Sequence, residues 1–241
     1  MYQDRVYRAV HRPADLLSYR VVVKETDLFC ATKRDLKRFI EERVFFYRHQ
    51  LEAYISLRPL FINSLSPIKP DPIAPPIIKE MIEASGIIGV GPMATVAGAI
   101  SEFIGRDIEA MSDEFIIENG GDIYMKTLSE RVVTIYANHS PYSERIGIKI
   151  RPSDMAYGIC TSSGTVGHSL SFGRADAVCI IGRSAIFADG LATYIGNIVK
   201  KKGHIPYAIE EAKRHKGVSA VVIIMAETMG AWGDIEIIPI K

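Results

Sequence analysis

Five prolines crowd one short segment, Ser64–Pro76 (SLSPIKPDPIAPP). Each proline fixes φ, lacks an N–H donor and pushes the residue before it out of the helical region, so neither a helix nor an interior strand can run through. The segment therefore reads as an extended connector, and as the boundary or hinge of the chain. Before it, Leu36, Phe39, Ile40, Val44, Tyr47, Leu51, Tyr54 and Ile55 recur at helical spacing and predict a long helix that Pro59 ends. Thr32 and Asp35, three apart, resemble a capping box at its start. Further upstream, Asp4–Val10 and Tyr19–Lys24 read as strands with Pro13 between them.

After the connector the pattern changes. A short helix over Ile77–Ala84 leads into the Gly-rich SGIIGVGPMATVAGAI (85–100), of which Pro92–Ile104 reads as a buried helix. Residues 115–150 read as a meander of strands, with turns at NGG (119–121) and NHSPYS (138–143). Ala156–Thr161 and Ala177–Ile181 read as buried strands flanking a small, polar loop. Ser184 is a natural N-cap and Gly203 a natural C-cap for the next helix. Another helix runs from Pro206 to Gly217, and Val218–Met225 and Asp234–Ile240 close the chain as strands. This order predicts an α+β fold: antiparallel or mixed sheets with helices packed on one face, in one domain over 1–241 or two intertwined subdomains.

Composition narrows the function classes. With 48% hydrophobic residues and 29 Lys+Arg against 28 Asp+Glu, the chain has the apolar content to fold. It also lacks the basic excess of a nucleic-acid binder. Its apolar runs fall short of the roughly 20 residues of a membrane span. The start, MYQDRVYRAVHRP, has no signal-peptide core. Three cysteines are too few for a disulfide framework or a Cys-rich zinc site. These features predict a soluble, cytoplasmic protein whose partners are neither nucleic acid nor membrane.

Four constellations could carry chemistry. Asp189 and Thr193 lie four apart on a helix, hence on one face, beside the small Ala188, Gly190 and Ala192. That pairing suits a hard cation such as Mg²⁺ with phosphate ligands, or else it is a solvated first-turn Asp favoured by the helix dipole. The loop CTSSGTVGHSLSFG (160–173) offers hydroxyl and backbone N–H groups at Ser162, Ser163, Gly164 and Thr165, with His168 as base or ligand; the alternative is an ordinary polar loop. Cys160 or Ser163 as nucleophile is the weaker reading, since no G-x-S-x-G elbow is present. In IIENGGDIYM (116–125), Gly120 and Gly121 make a hairpin turn, or leave the backbone open to a planar or ribose-like ligand with Asp122 as acceptor. GVGPMA (89–94) matches G-x-G-x-x-A without the preceding strand that a dinucleotide fold needs. A Gly-rich turn feeding a helix still suits a phosphate, with Gly91 and Thr95 placed toward it; a close-packed helix with small Ala94, Ala97 and Gly98 is the alternative.

The order of these pieces resembles the ApbE family, flavin transferases that use FAD and Mg²⁺. AVCIIGRSAIFADGLAT (177–193) is similar to the family's strand and following helix with its A-D-A-L-A-T motif, Gly190 standing for the middle alanine. IENGGDI (117–123) resembles its Gly-Gly-Asp strand, and GIIGVGPMATVAGAI (86–100) occupies the place of its G-x-F-D-P-T segment. RHQLEAYI and SLRPLFINSL resemble its early helix and following loop. The resemblance implies Mg²⁺ held by Asp189 and Thr193, FAD or FMN near Gly120, Gly121 and Asp122, and His168 in the place of the family's histidine. It implies binding of a flavin or other nucleotide-like anion, and FMN transfer from FAD to a protein acceptor, or FAD pyrophosphate cleavage; the oligomeric state is left open, a homodimer being one form. The chain departs from the pattern where His168 is followed by Ser169-Leu170-Ser171-Phe172-Gly173 rather than an Asp and a P-x-T-G loop, and where the G-x-F-D-P-T segment has lost its Asp. Those departures leave open a non-catalytic flavin-binding module, or a transferase acting on another metabolite in the same cleft.

Overall fold

The computed structural model describes residues 13–164 and 173–240. It opens with a hairpin of β1 (Leu17–Val23) and β2 (Thr26–Thr32), followed by α1 (Lys37–Leu57) and the single turn α2 (Leu60–Asn63). The proline-rich connector then leads into α3 (Pro76–Ile88), whose first residue is Pro76, and a 3-10 turn, Pro92–Thr95, opens directly into α4 (Val96–Ile108). Strands β3 (Phe115–Asn119), β4 (Asp122–Lys126), β5 (Arg131–Thr134), β6 (Ile146–Ile150), β7 (Tyr157–Ser162) and β8 (Ala177–Gly182) follow. Then come α5 (Ala185–Ile198), α6 (Ile205–Lys213), β9 (Val218–Met225), β10 (Thr228–Gly233) and β11 (Glu236–Pro239).

Among the described residues, eight strands form one antiparallel sheet in the order β1-β2-β3-β4-β7-β8-β9-β10, and β11-β6-β5 form a second sheet of three. Alternation along β8 and β9 explains how they stack. Val178, Ile180, Val221 and Ile223 face the core shared with the helices. Ala177, Cys179, Ile181, Ala220, Val222 and Ile224 face the core shared with Ile148 and Ile150 of the small sheet. The large sheet is thus the middle of three layers, which is why its central strands are continuous apolar runs rather than half-polar ones. The α+β fold with helices on one face is as the sequence implies; the second sheet covers the other face. Phe61 before the connector and Ile77 after it belong to the same core.

Several local expectations are corrected. Thr32 is no helix cap: it ends β2 fully buried, and its hydroxyl, 2.7 Å from the Tyr19 hydroxyl, donates to the Arg34 carbonyl at 2.6 Å. The helix starts later, with Leu36 in the cap position and Asp35 accepting from the Lys37 amide at 2.9 Å. Gly203 does not end α5, which stops at Ile198 with Val199 as its cap; Gly203 lies in a separate 3-10 turn, Lys202–His204. β2 and β10 went unread because neither shows clean alternation: β2 is buried almost throughout and β10 is largely exposed. The Asp4–Val10 strand lies outside the described residues. Among the described residues, no single helix is long and apolar enough to cross a membrane.

The α4–α5 seam positions the site. Gly98 has no side chain because one would sit 2.2 Å from the Ala185 carbonyl oxygen and 2.8 Å from the Asp189 Cβ. The two helices therefore meet backbone to backbone near both of their N-termini.

Candidate functional site

Asp189 lies in the second turn of α5 and crosses the seam, its Oδ2 accepting from the Gly98 amide at 2.8 Å. Ser184 caps the same helix, accepting from the Phe187 amide at 3.2 Å, as its sequence position implies. Asp122 arrives from the sheet. Asn119 and Asp122 pair across a two-residue turn in which Gly120 and Gly121 have φ of 71° and 104°, values a β-carbon disfavours. Glu118 braces that turn by accepting from the Gly121 amide at 2.8 Å, and Asn119 ties it to α4 by donating to the Ala97 carbonyl at 3.3 Å. Across the sheet Asp122 faces Cys160 in β7, and the Cys160 thiol donates to the Ala185 carbonyl at 3.3 Å.

The electrostatics are those of acids held together. Burial pushes Asp122 well above the usual carboxylate range, and the charges of Asp189 and Glu118 push it the same way. Burial also pushes Asp189 up to about 7, although the Gly98 and Ala97 amides favour its charged form. Burial, then Asp122 and Asp189, raise the Cys160 thiol, so it is a poor nucleophile. Asp189 is half-buried as a residue.

The other residues singled out by sequence sit as follows. Thr193 is half-buried one turn beyond Asp189 on α5. Ser162 ends β7, paired with Val178, Ser163 follows it, and the Gly164 amide donates to the Ala175 carbonyl at 2.9 Å. Gly91 precedes the 3-10 turn, where a side chain would fall 1.8 Å from the Ser64 carbonyl oxygen. Thr95 is fully buried, donates to the Pro92 carbonyl at 2.8 Å and packs toward Gly190. Thr165 and His168 lie outside the described residues. The structure thus gathers Gly120, Gly121, Asp122 and Asp189 around the first turn of α4. Among the described residues, no three His, Cys, Asp or Glu side chains are grouped to hold a metal ion. A cavity of about 290 Å³ lies where α3, the end of β8 and the start of α5 meet; Glu80, Ile87, Arg183, Phe187 and Lys216 line it, and neither Asp122 nor Asp189 does.

A family model described as AbpE bacteria matches residues 8–226. The chain belongs to this ApbE-like family. It is 45% identical over 193 residues to a UPF0280 protein of Methanococcus aeolicus, covering 78% of each chain. It is 36% identical over 224 residues to a UPF0280 protein of Methanocaldococcus jannaschii, covering 90% of each. The apo flavinyl transferase ApbE of Pseudomonas stutzeri superposes with a TM-score of 0.63 at 11% identity, over 90% of this chain and 94% of that one. The ApbE protein of Thermotoga maritima gives 0.57 at 11% identity, over 89% and 96%. At such identities the likeness to the solved structures is one of fold.

Two acids of this ApbE-like chain escaped the sequence reading. Glu102, 2% exposed, sits in AGAISEFIG, and Glu118, 4% exposed, in EFIIENGG. The signal was there: an acid inside an apolar run is buried, and a buried acid needs partners.

Proposed function

We propose that this ApbE-like chain binds FAD with Mg²⁺ where α4, α5 and the Gly120–Gly121 turn converge, and passes its FMN half to an acceptor. One observation carries the reading: Asp189, held on the Gly98 amide at the start of α4, has a second acid, Asp122, as its charged neighbour, and burial raises both. Acids so placed call for a proton or a cation between them. The donor set fits Mg²⁺, which is commonly held by one or two carboxylates, with water and substrate phosphate completing its shell. Asp189 and the Thr193 hydroxyl would hold it, and Asp122 stands beside them. When bound, Mg²⁺ offsets pyrophosphate charge and stabilises the charge that develops on the phosphoryl oxygens.

The chain's own groups do the rest. Ionised Asp189 is fixed by the Gly98 amide, so its orientation does not depend on the ligand. The turn at Gly120 and Gly121 presents backbone without side chains, which lets a planar ring or ribose approach closely. The acceptor oxygen, from a protein hydroxyl or water, attacks the FMN-side phosphorus. The bond to the bridging oxygen breaks, AMP leaves with that oxygen, and the acceptor's proton passes to a base. His168 takes that role on the strength of the family resemblance. The setting that goes with this reading is a single cytoplasmic domain with an anionic nucleotide and a protein acceptor as partners.

Purified protein incubated with FAD, Mg²⁺ and a threonine-bearing acceptor, or water alone, should release AMP on chromatography, and Asp189→Ala should not. No flavin binding by equilibrium dialysis, with or without Mg²⁺, would sink the reading. The missing P-x-T-G loop after His168 favours a second reading, a module that holds flavin without cleaving it. Saturable FAD binding with no AMP released would decide for that one.

A further inference from the structure

The α4–α5 seam carries a second carboxylate running the opposite way. Asp189 of α5 reaches the Gly98 amide in the first turn of α4. Glu102 of α4 reaches back to the first turn of α5, its Oε2 accepting from the Ile186 amide at 2.9 Å and from the Ser184 hydroxyl at 2.8 Å. Each helix therefore caps the other's N-terminus with an acid. Helix N-termini leave amides unpartnered and favour negative charge, so two such bonds of opposite direction fix both the spacing and the register of the pair. The two acids differ in their counter-charges. Glu102 is paired with Arg106, which in turn holds Glu80 at 2.8 Å. Asp189 has another acid, Asp122, as its neighbour.

We propose that Glu102 is the positioning residue of the site: by clamping the start of α5 it holds Asp189 on the Gly98 amide in the orientation that meets the cation. The function of that orientation rests on the reading above, but the clamp itself does not. Glu102 never touches the ligand and acts through α5. It is satisfied by three groups (the Ser184 hydroxyl, the Ile186 amide and the Arg106 guanidinium), so its charge is spent inside the protein while that of Asp189 is left for a ligand.

The test compares Glu102→Ala and Glu102→Gln with Ile224→Ala, a cavity variant in the core on the other face of the sheet. Two quantities are read: hydrogen exchange at the Gly98 amide by NMR, and Mn²⁺ affinity in the presence of FAD, Mn²⁺ serving as a spectroscopic probe for Mg²⁺. Glu102→Ala should raise Gly98 exchange selectively and weaken Mn²⁺ binding by about 10–100-fold, the usual size for loss of a group that orients a metal ligand. Glu102→Gln keeps an oxygen for Ser184 and Ile186 and should recover most of both. Ile224→Ala should raise exchange throughout the core and leave Mn²⁺ affinity near wild type. Exchange at Gly98 in Glu102→Ala no faster than in Ile224→Ala overturns the proposal, as does unchanged Mn²⁺ affinity where the wild type binds. If the wild type binds no Mn²⁺, the functional reading fails, and Gly98 exchange alone decides the clamp. Should Glu102→Ala not fold, Ser184→Ala removes one of the two α5 contacts and is held to the same Gly98 criterion.

Discussion

The same substitution, glycine to alanine, should have opposite signs at two helical positions of this chain. At Gly98 a Cβ would lie 2.2 Å from the Ala185 carbonyl oxygen, 2.7 Å from its carbon and 2.8 Å from the Asp189 Cβ. Two of those atoms are backbone, so the clash cannot be relieved by a rotamer; α5 must retreat by at least about 1 Å to reach ordinary contact. Three terms follow. Alanine gains about 1 kcal/mol over glycine as a helix former. Overpacking a close seam costs about 1–3 kcal/mol, sometimes more. Retreat of α5 stretches the Gly98–Asp189 bond, and a hydrogen bond to a charged group is worth about 1.5–3 kcal/mol. The net loss is about 2–5 kcal/mol, a fall in Tm of about 5–15 °C for a chain of this size. At Gly86, in α3, nothing lies within 4 Å of the Cβ position, so only the helix term remains. Gly86→Ala should raise stability by about 0.5–1 kcal/mol. Urea unfolding followed by far-UV circular dichroism measures both. A Gly98→Ala variant within about 1 kcal/mol of wild type would refute the close approach of α4 and α5, and with it the argument that this seam fixes Asp189.

Three further outcomes can be checked. Burial opposes ionisation of Glu114, but the Leu128 amide, Lys33, Arg131 and Thr127 outweigh it and lower its value to about 2 from an ordinary 4.5. Its stabilisation, about 3 kcal/mol, is thus present above pH 4.5 and lost as pH falls toward 2, so Glu114→Gln should flatten the acid limb of a stability–pH curve. Asp189 shifts the opposite way: raised to about 7 from 3.8, it makes the metal-free fold lose stability as pH climbs between those values, and divalent-cation affinity should rise from pH 6 to 8 because the metal must displace a proton, a slope Asp189→Asn removes in calorimetric titration. Gly190→Ala, which restores the family's middle alanine, would meet only side-chain tips, Thr95 Cγ2 at 2.8 Å and Ile88 Cδ1 at 2.9 Å; thermal unfolding should move by less than about 1 kcal/mol, since helix propensity offsets a strain the tips can relieve.

What was legible in the sequence followed the strength of local periodicity and punctuation. The long helix ending at Pro59, the connector, the Ser184 cap and the Asn-Gly-Gly turn were each written in a few adjacent residues, and the structure has them. β2 was hidden because it is buried on both faces and so does not alternate; β10 was hidden because it is exposed and Gly-interrupted. Of the site, Asp122 and Asp189 could be named from motif and spacing, but their neighbourhood could not. Asp122 meets Cys160 only through strand pairing, and Asp189 meets Gly98 only through helix packing, the latter two lying 91 positions apart in the chain. Glu102 was unreadable in the same sense: its partners Ser184 and Ile186 lie on another helix, and nothing local announces a cross-cap.

The arrangement has a thermodynamic consequence. Asp189 is the only charged residue of α5, AIFADGLATYIGNI, a helix that buries eight of its residues. An acid there, with a second acid beside it, costs stability that an apolar or amide side chain of the same shape would not. Helix-dipole and amide contacts offset part of that cost, since the Gly98 and Ala97 amides oppose the upward shift, but they do not cancel it. Folding the metal-free chain therefore requires taking up protons at Asp122 and Asp189 between the pH of an unfolded carboxyl and each acid's raised folded value, and the penalty grows with pH across that window. Asp122→Asn removes one of those acids without changing its shape. It should raise Tm, and by more at pH 8 than at pH 5, while abolishing the further rise that the proposed binding of Mg²⁺ and FAD would give the wild type through mass action, about 2.7 kcal/mol at a hundredfold excess over Kd. A variant less stable than wild type at pH 8 would mean that Asp122 stabilises the fold through its contacts with Cys160 and the neighbouring turn, and that the paired acids are structural rather than a site held in readiness for a cation.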